Sequence, residues 1–379
     1  MSILFESAKI SDMGLKNRFV RSATDEESAD EKGHVTDNLI KIYRELAEGQ
    51  VGLIIMGITF VNQRGRISFH QSGLAGDDAI PGLKRLADAV HSRGSKIAVQ
   101  LFHGGRESAR FLNPAGRRAL APSSISDDPL FKGEHRAFTE EEIRETIRAF
   151  GDAARRAVEA GLDAVQLHAA HGYLPSQFLS PHANRRRDGW GGDLDNRLRF
   201  HREIAADIRK KAGRGVPLLV KLGVQDEVPG GLRFEEGKEA ARRLAEWGYD
   251  AIEVSQGLRG QSYEQTEFRT KVKRVDQEAF FGAWTREVKQ AVRVPTMVVG
   301  GLRSFARLEE IVEKGEADFV SMSRPLIREP GLVKAWQEGD RHRARCISCN
   351  QCLEALQAGE SLYCVQERKE KKGEDSAAS

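Results

Sequence analysis

No cysteine occurs before Cys346, and the chain's four cysteines then fall close together at Cys346, Cys349, Cys352 and Cys364. This excludes a scattered set of core thiols and makes the group a single site. Long apolar runs are missing too. The stretch Val51 to Phe60 is among the longest, far short of the roughly 20 residues a membrane helix needs, and no basic segment followed by an apolar one opens the chain. A cytoplasmic protein with no membrane partner is therefore expected. Charge of one sign is also lacking: 59 Lys and Arg face 56 Asp and Glu, so no global field draws the chain to nucleic acid. Small, locally steered ligands are the expectation that remains.

What is present is a repeated unit. Short β-rich apolar runs cover Arg18 to Thr24, Gly52 to Thr59, Lys96 to His103, Asp163 to Ala169, Pro217 to Gly223, Asp250 to Gln256, Pro295 to Gly301 and Asp318 to Arg324, eight in all. Helical spacing fills segments between them, as over Pro81 to Arg93, Thr139 to Glu159, Asn196 to Lys211, Phe234 to Trp247, Phe280 to Ala291 and Ser304 to Glu313. Several of these close on glycine, at Gly94, Gly161, Gly213, Gly248 and Gly315, where a left-handed residue ends a helix. Strand, helix, glycine, strand is the pattern of parallel βα units, and eight units make a (β/α)8 TIM barrel whose site lies at the C-terminal strand ends. The expected organisation is a barrel over 1–340, a four-cysteine extension over 341–366 packed on it, and a charged, disordered tail over 367–379. Asn113 to Glu134 and Leu258 to Gln277 do not fit the units. Both follow strands, so they are expected to form lids or substrate walls.

Polar residues at strand ends mark the candidate site. HAAHGYLPSQFLSPHANRRRDGWGG follows the fourth run and places His168, His171 and Tyr173 at the barrel mouth. A metal would want a carboxylate or third histidine beside the pair; His182 is available, but no acidic residue falls between Ala164 and Arg187. Gly300 and Gly301 after the seventh run, with Ser323 and Arg324 after the eighth, suit a phosphate; the alternative is tight turns and a surface ion pair. Gln100 and Lys221 end the third and fifth runs, where an amide and an ammonium match the pyrimidine edge of a flavin, although each taken alone is equally a structural polar group. Arg185 to Arg187 read as a solvated surface, with a clamp for the phosphates of a CoA or NADPH substrate as the alternative.

At this point the chain resembles the old yellow enzyme family of FMN-dependent oxidoreductases, in the branch of 2,4-dienoyl-CoA reductase and trimethylamine dehydrogenase. The matching stretches are LKNRFVRSAT, VQLFHGGR, QLHAAHGYLPSQFLSPHANRRRDGWGGDLDNRLRF, VVGGLRS, SMSRPLIREP and CISCNQC. The resemblance implies FMN on the barrel, its phosphate on Gly301, Ser323 and Arg324, its ring edge read by Gln100 and Lys221, and backbone of Ser22, Ala23, Thr24 and Gly57 along the ring. It implies that His168 and His171 polarise the carbonyl of an electron-poor alkene while reduced flavin delivers hydride and Tyr173 the proton, a phenol with an ordinary pKa of about 10 being protonated at neutral pH. NAD(P)H or a separate electron-transfer protein is the expected reductant, and homo-oligomers are in keeping with the family. In two places the chain departs from the pattern. Lys221 stands where many relatives carry Arg and loses the two-pronged fork. Asp25 stands where many carry Thr or Cys, so either its loop turns away from the flavin or this flavin has a lower potential.

CxxCxxC followed by Cys364 brings thiolates around one centre, as a 4Fe-4S cluster requires, and it is similar to the cluster segment of the two named enzymes. A structural zinc on four cysteines is the rival, with inert free thiols third. Three other functions stay open: an amine dehydrogenase or demethylase passing electrons to the cluster, a non-redox phosphate-binding lyase or isomerase, and a flavin or iron-sulfur carrier.

Overall fold

The eight apolar runs become eight parallel strands that close on themselves in a computed structural model, which describes residues 2–108, 118–126, 128, 131 and 133–377. They are β1 (Phe19–Arg21), β2 (Leu53–Phe60), β3 (Lys96–Phe102), β4 (Ala164–Ala169), β5 (Leu218–Gly223), β6 (Ala251–Ser255), β7 (Thr296–Val299) and β8 (Phe319–Met322). Neighbours in sequence are neighbours in the barrel, and the ring closes with Val320 of β8 opposite Phe19 of β1. Every residue of β2, β4, β5, β6 and β8 is buried, so both faces of these strands are covered and their sequences carry no polar alternation.

Outside the strands run α1 (Asp37–Glu48), α2 (Ile80–His91), α3 (Glu140–Glu159), α4 (Leu194–Ala212), α5 (Phe234–Glu246), α6 (Gly282–Ala291), α7 (Phe305–Glu313) and α8 (Leu332–Gln337). Their starts are set by side-chain caps: Thr36 on α1, Thr139 with Glu142 as a reciprocal box on α3, and Asp193 on α4. Gly94, Gly161, Gly213, Gly248 and Gly315 all have positive φ, as the helix ends demanded. The helix expected from Phe280 begins two residues later, because Phe280 N–H donates to the Gly300 carbonyl at 3.2 Å instead of entering the helix.

One end of the barrel is plugged. Ile10, Met13 and Leu15 of a hairpin, Ala8–Ile10 with Met13–Leu15, pack against Val20, Leu53, Ala164, Leu219 and Ala251 near the strand starts. Full burial of each such side chain stabilises by roughly 1.5 to 3 kcal/mol, and the plug leaves only the C-terminal strand ends open. Parts of the expected wall between Asn113 and Glu134 lie outside the described residues; in the remainder, Ala119–Ala121 pairs with His135–Ala137 as a small parallel sheet.

The C-terminal extension lies against the open end. Arg303 Nη1 donates to the Cys346 carbonyl at 2.5 Å, Asn350 Nδ2 to the Phe268 carbonyl at 2.6 Å, and Leu362 N–H to the Glu26 carbonyl at 3.2 Å. It carries α9 (Gln351–Gln357) and α10 (Val365–Ala377). Where a disordered tail was expected from Glu367, the described residues carry the helix α10. The composition does lack an apolar face, but ion pairs of Arg328 with Glu370 at 2.7 Å and Arg368 with Glu360 at 3.4 Å hold its first turns. Among the described residues no helix is long and apolar enough to cross a membrane.

Candidate functional site

The strand ends open into one cavity of about 420 Å³, and nearly every residue singled out at those ends lines it. Ser22, Ala23 and Thr24 follow β1, Gln100 lies on β3, His168, His171 and Tyr173 on β4 and its loop, Lys221 on β5, and Gly300 with Gly301 and Ser323 with Arg324 follow β7 and β8. A cavity of this size falls in the range that holds a cofactor or small ligand.

Gly57 is the exception, since it does not line the cavity. A bulge between Met56 and Ile58 shifts the register there, and Ile58, not Gly57, faces the cavity. Gly57 lies behind Thr24: its N–H donates to Tyr43 Oη at 2.9 Å, and Tyr43 donates to Glu26 Oε1 at 3.0 Å. A Cβ on Gly57 would sit 2.1 Å from the Thr24 carbonyl oxygen. Gly57→Ala is therefore expected to lose about 1 to 3 kcal/mol of stability and to lower bound flavin by pushing Thr24 into the cavity. Melting temperature and flavin content measured beside Gly14→Ala, which has open space around its Cβ, check this; equal behaviour of the two variants would refute it.

His171 and Gly172 both have left-handed backbone, φ +60 and +79, which turns the chain back over the mouth as soon as β4 ends. The His171 N–H donates to the Gln256 carbonyl at 2.9 Å and fixes that turn. His168 and Tyr173 rings meet edge to face with centroids 5.0 Å apart, and Phe102 supports Tyr173 at 4.5 Å. His168 is 2 % exposed and its Nδ1 has no protein partner, so a polar atom is left for a ligand. His171 is engaged differently, with Nε2 2.8 Å from Ser255 Oγ and Nδ1 3.6 Å from Glu267. Burial, with Lys221 nearby, holds both imidazoles well below the usual histidine range, and both are neutral at neutral pH. Burial raises the Tyr173 phenol against the opposing pull of Arg259.

Two groups join the site without having been singled out in the sequence. Glu253 of β6 is fully buried and accepts hydrogen bonds from Ser22 Oγ at 2.7 Å, Ser321 Oγ at 2.8 Å and Gln166 Nε2 at 3.1 Å. Lys221 Nζ stands 3.3 Å from Glu253 and donates to Ser22 Oγ at 2.8 Å, while Gln100 donates to Gln166 at 2.7 Å. Lys221 and Gln100 are thus two ends of one buried network across the barrel mouth. The available signal was a carboxylate inside an otherwise apolar strand, which is rarely buried unless paired. The second group is Arg259 and Glu267, from the segment after β6 that was expected to wall the substrate. Nothing in their spacing says which of its charged residues face inward.

Glu267 supplies the carboxylate that the fourth-strand loop lacks, yet among the described residues no three His, Cys, Asp or Glu gather closely enough to hold one metal ion. His182 lies elsewhere, 3.2 Å from Asp128. Of the three arginines, Arg186 ties its loop to the carbonyls of Pro122 and Phe138 at 3.0 and 2.8 Å, and Arg185 and Arg187 are exposed. Asp25 does not turn away: it lines the cavity, and burial with the Glu27 and Glu26 carboxylates pushes its carboxyl well above the usual range.

All four cysteines are unpaired and line a second, small cavity beside the first. Arg324 and Cys352 border both cavities. Burial and then Cys346 push the Cys352 thiol up to about 11, against the pull of Arg324.

Known proteins carry the same architecture. The model of the NADH:flavin oxidoreductase / NADH oxidase family matches residues 3–342. A metal reductase of Desulforamulus reducens is 35% identical over 371 residues, 96% of this chain and 53% of that protein. A 4,4'-dithiodibutanoate disulfide reductase of Rhodococcus erythropolis is 32% identical over 387 residues, 94% of this chain and 93% of that protein. The solved complex of 2-naphthoyl-CoA reductase with 2-naphthoyl-CoA superposes with a TM-score of 0.88 at 30% identity, covering 96% of this chain and 56% of that one. The chain thus spans about half the length of the first and last of these. With a family model covering most of its length and the cavity residues in place on a closed eight-stranded barrel, the chain belongs to the NADH:flavin oxidoreductase / NADH oxidase family.

Proposed function

We propose that this chain is an FMN-dependent oxidoreductase that reduces the C=C bond of an α,β-unsaturated carbonyl compound or enoyl thioester. One observation carries the reading: a protonated phenol, two neutral imidazoles, a guanidinium and an ammonium converge on a single cavity. That set stabilises negative charge growing on a carbonyl oxygen and supplies a proton beside it. His168, through its free Nδ1, and His171 orient and polarise the carbonyl; Tyr173 gives its proton to the α-carbon.

The residues fit FMN. Gln100 and Lys221 would hold the pyrimidine edge, Ser22, Ala23 and Thr24 would run along the ring, and Gly300, Gly301, Ser323 and Arg324 would hold the phosphate. When bound, the reduced flavin supplies the hydride, and NAD(P)H is the proposed reductant, with a separate electron-carrier protein as the other source. The raised carboxyl of Asp25 weakens the negative charge that would otherwise oppose an anionic reduced ring.

An amine dehydrogenase would need a free carboxylate for its ammonium substrate. Here Arg259 already occupies Glu267, at 2.9 Å from both carboxylate oxygens, and Lys221 adds a second cation to the wall. A non-redox lyase or isomerase leaves the cysteines without a role. For those cysteines the reading is a 4Fe-4S cluster, which would supply one-electron storage beside the main cavity. The four cysteines line one small cavity, and the CxxCxxC spacing followed by Cys364 supports the cluster over a zinc on four cysteines.

The visible spectrum of anaerobically purified protein, with iron, zinc and sulfide analysis of the same sample, tests both cofactors. The expected result is flavin bands over a broad background, with about four iron and four sulfide per chain. Cys364→Ser should lose the background and keep the flavin. Zinc without sulfide would overturn the cluster, and a colourless protein that FMN cannot reconstitute would overturn the whole reading.

A further inference from the structure

The segment after β6 places a cation directly against the proposed proton donor. Arg259 Cζ lies 5.5 Å from the centre of the Tyr173 ring and 5.2 Å from that of Phe268, so the guanidinium sits between two aromatic faces. Its Nη2 stands 3.5 Å from Tyr173 Oη, at the outer limit of a hydrogen bond. Its Nε is 2.9 Å from each oxygen of Glu267, which also lies 3.6 Å from His171 Nδ1. The segment is itself pinned, since Leu258 N–H donates to the buried Asp226 Oδ1 at 2.7 Å. Arg259 is therefore held on three sides, with its fourth side on the phenol.

We propose that Arg259 is a positioning residue for Tyr173: it fixes the phenol over the cavity and stabilises the tyrosinate left when the proton is given up. The proposal rests on the reading of Tyr173 as donor. In that step the Tyr173 O–H bond breaks, the proton forms the new C–H bond at the α-carbon, the hydride that reduced flavin supplies goes to the β-carbon, and the negative charge stays on the phenol oxygen. That oxygen is buried, and a buried anion is costly unless paired. Glu107 and Glu267 face Tyr173 with the wrong sign to pair it, while His168 and His171 are neutral and Lys221 acts on the imidazoles rather than on the phenol. Arg259 alone among these groups pulls the phenol toward ionisation, through both charge and hydrogen bonding. Glu267 keeps the guanidinium in place.

The test uses the flavin-loaded protein with tyrosine labelled at the ring carbon bearing oxygen. The chain has five tyrosines, and Tyr173→Phe assigns the resonance of interest. In Arg259→Gln the Tyr173 resonance should titrate about one unit or more higher than in the parent protein, a ten-fold rise in proton affinity, with Arg259→Lys between the two. Single-turnover oxidation of the reduced enzyme by 2-cyclohexenone should slow by about ten-fold or more in Arg259→Gln, and the same change made on Tyr173→Phe should slow it no further. A Tyr173 titration unmoved in Arg259→Gln overturns the proposal. Failure of the donor reading is seen separately: Tyr173→Phe alone would then react at the parent rate with 2-cyclohexenone, whatever the titration of Arg259→Gln shows.

Discussion

Tyr173→Phe is expected to slow the alkene half-reaction by about a hundred-fold to ten-thousand-fold while the flavin is still reduced by NAD(P)H. The ring is kept, so the edge contacts to Phe102 and His168 survive and only the proton is lost. Stopped-flow measurement of the two half-reactions separates these effects; equal loss in both would refute the assignment. The pH dependence follows from the same residues. Both imidazoles are pushed well below the usual histidine range by burial, so neither changes charge near neutrality. The phenol is raised, so it remains protonated throughout the same range. The rate of the alkene half-reaction should therefore be flat across the ordinary imidazole pKa of about 6.5 and fall only at alkaline pH, as the phenol loses its proton. An inflection near 6.5 that disappears in His168→Asn would show that a charged imidazole is the working form.

The fold was legible because parallel strands covered on both faces leave continuous apolar runs, and the helix ends between them carry glycine. What the runs could not show was where each strand stops. β7 ends at Val299, two residues before its run does, because Gly300 and Gly301 take positive φ and leave the ladder. The site was legible where residues sit next to one another in sequence, as with His168, His171 and Tyr173. It was obscure where the barrel brings distant residues together. Glu253 meets Ser22 across 231 positions, and Arg259 meets Tyr173 across 86; no local pattern encodes either pair. That Ile58 and not Gly57 lines the cavity was hidden for another reason, since a one-residue bulge reverses which side chain faces inward and leaves no mark on composition.

Glu253→Gln should be the most destabilising single change at the site, at about 3 to 5 kcal/mol. The carboxylate is fully buried, and removing its charge leaves the Lys221 ammonium, 3.3 Å away, without an ionic partner in the same low-dielectric space. Burial alone would push the Glu253 carboxyl up; Lys221, the Ser22 and Ser321 hydroxyls and the Gln166 amide together bring it below the usual carboxylate range. A folded-state pKa below the unfolded value of about 4.3 means that this stability is fully present above that pH and is lost as pH falls through the folded value. The gap in melting temperature between the parent and Glu253→Gln should therefore be constant at neutral pH and narrow in acid. Lys221→Met alone leaves the opposite charge unpaired, whereas Glu253→Gln with Lys221→Met removes both, so the double variant should cost clearly less than the sum of the singles. Additive losses would mean that the two charges do not depend on each other. If they do, the buried network at the barrel mouth fixes the ammonium that the flavin edge would meet, because Lys221 is positioned by a residue of the neighbouring strand and its shared serine. Loss of flavin in Glu253→Gln at temperatures where the protein is still folded is the corresponding functional result, and retention of full flavin there would confine Glu253 to a role in stability.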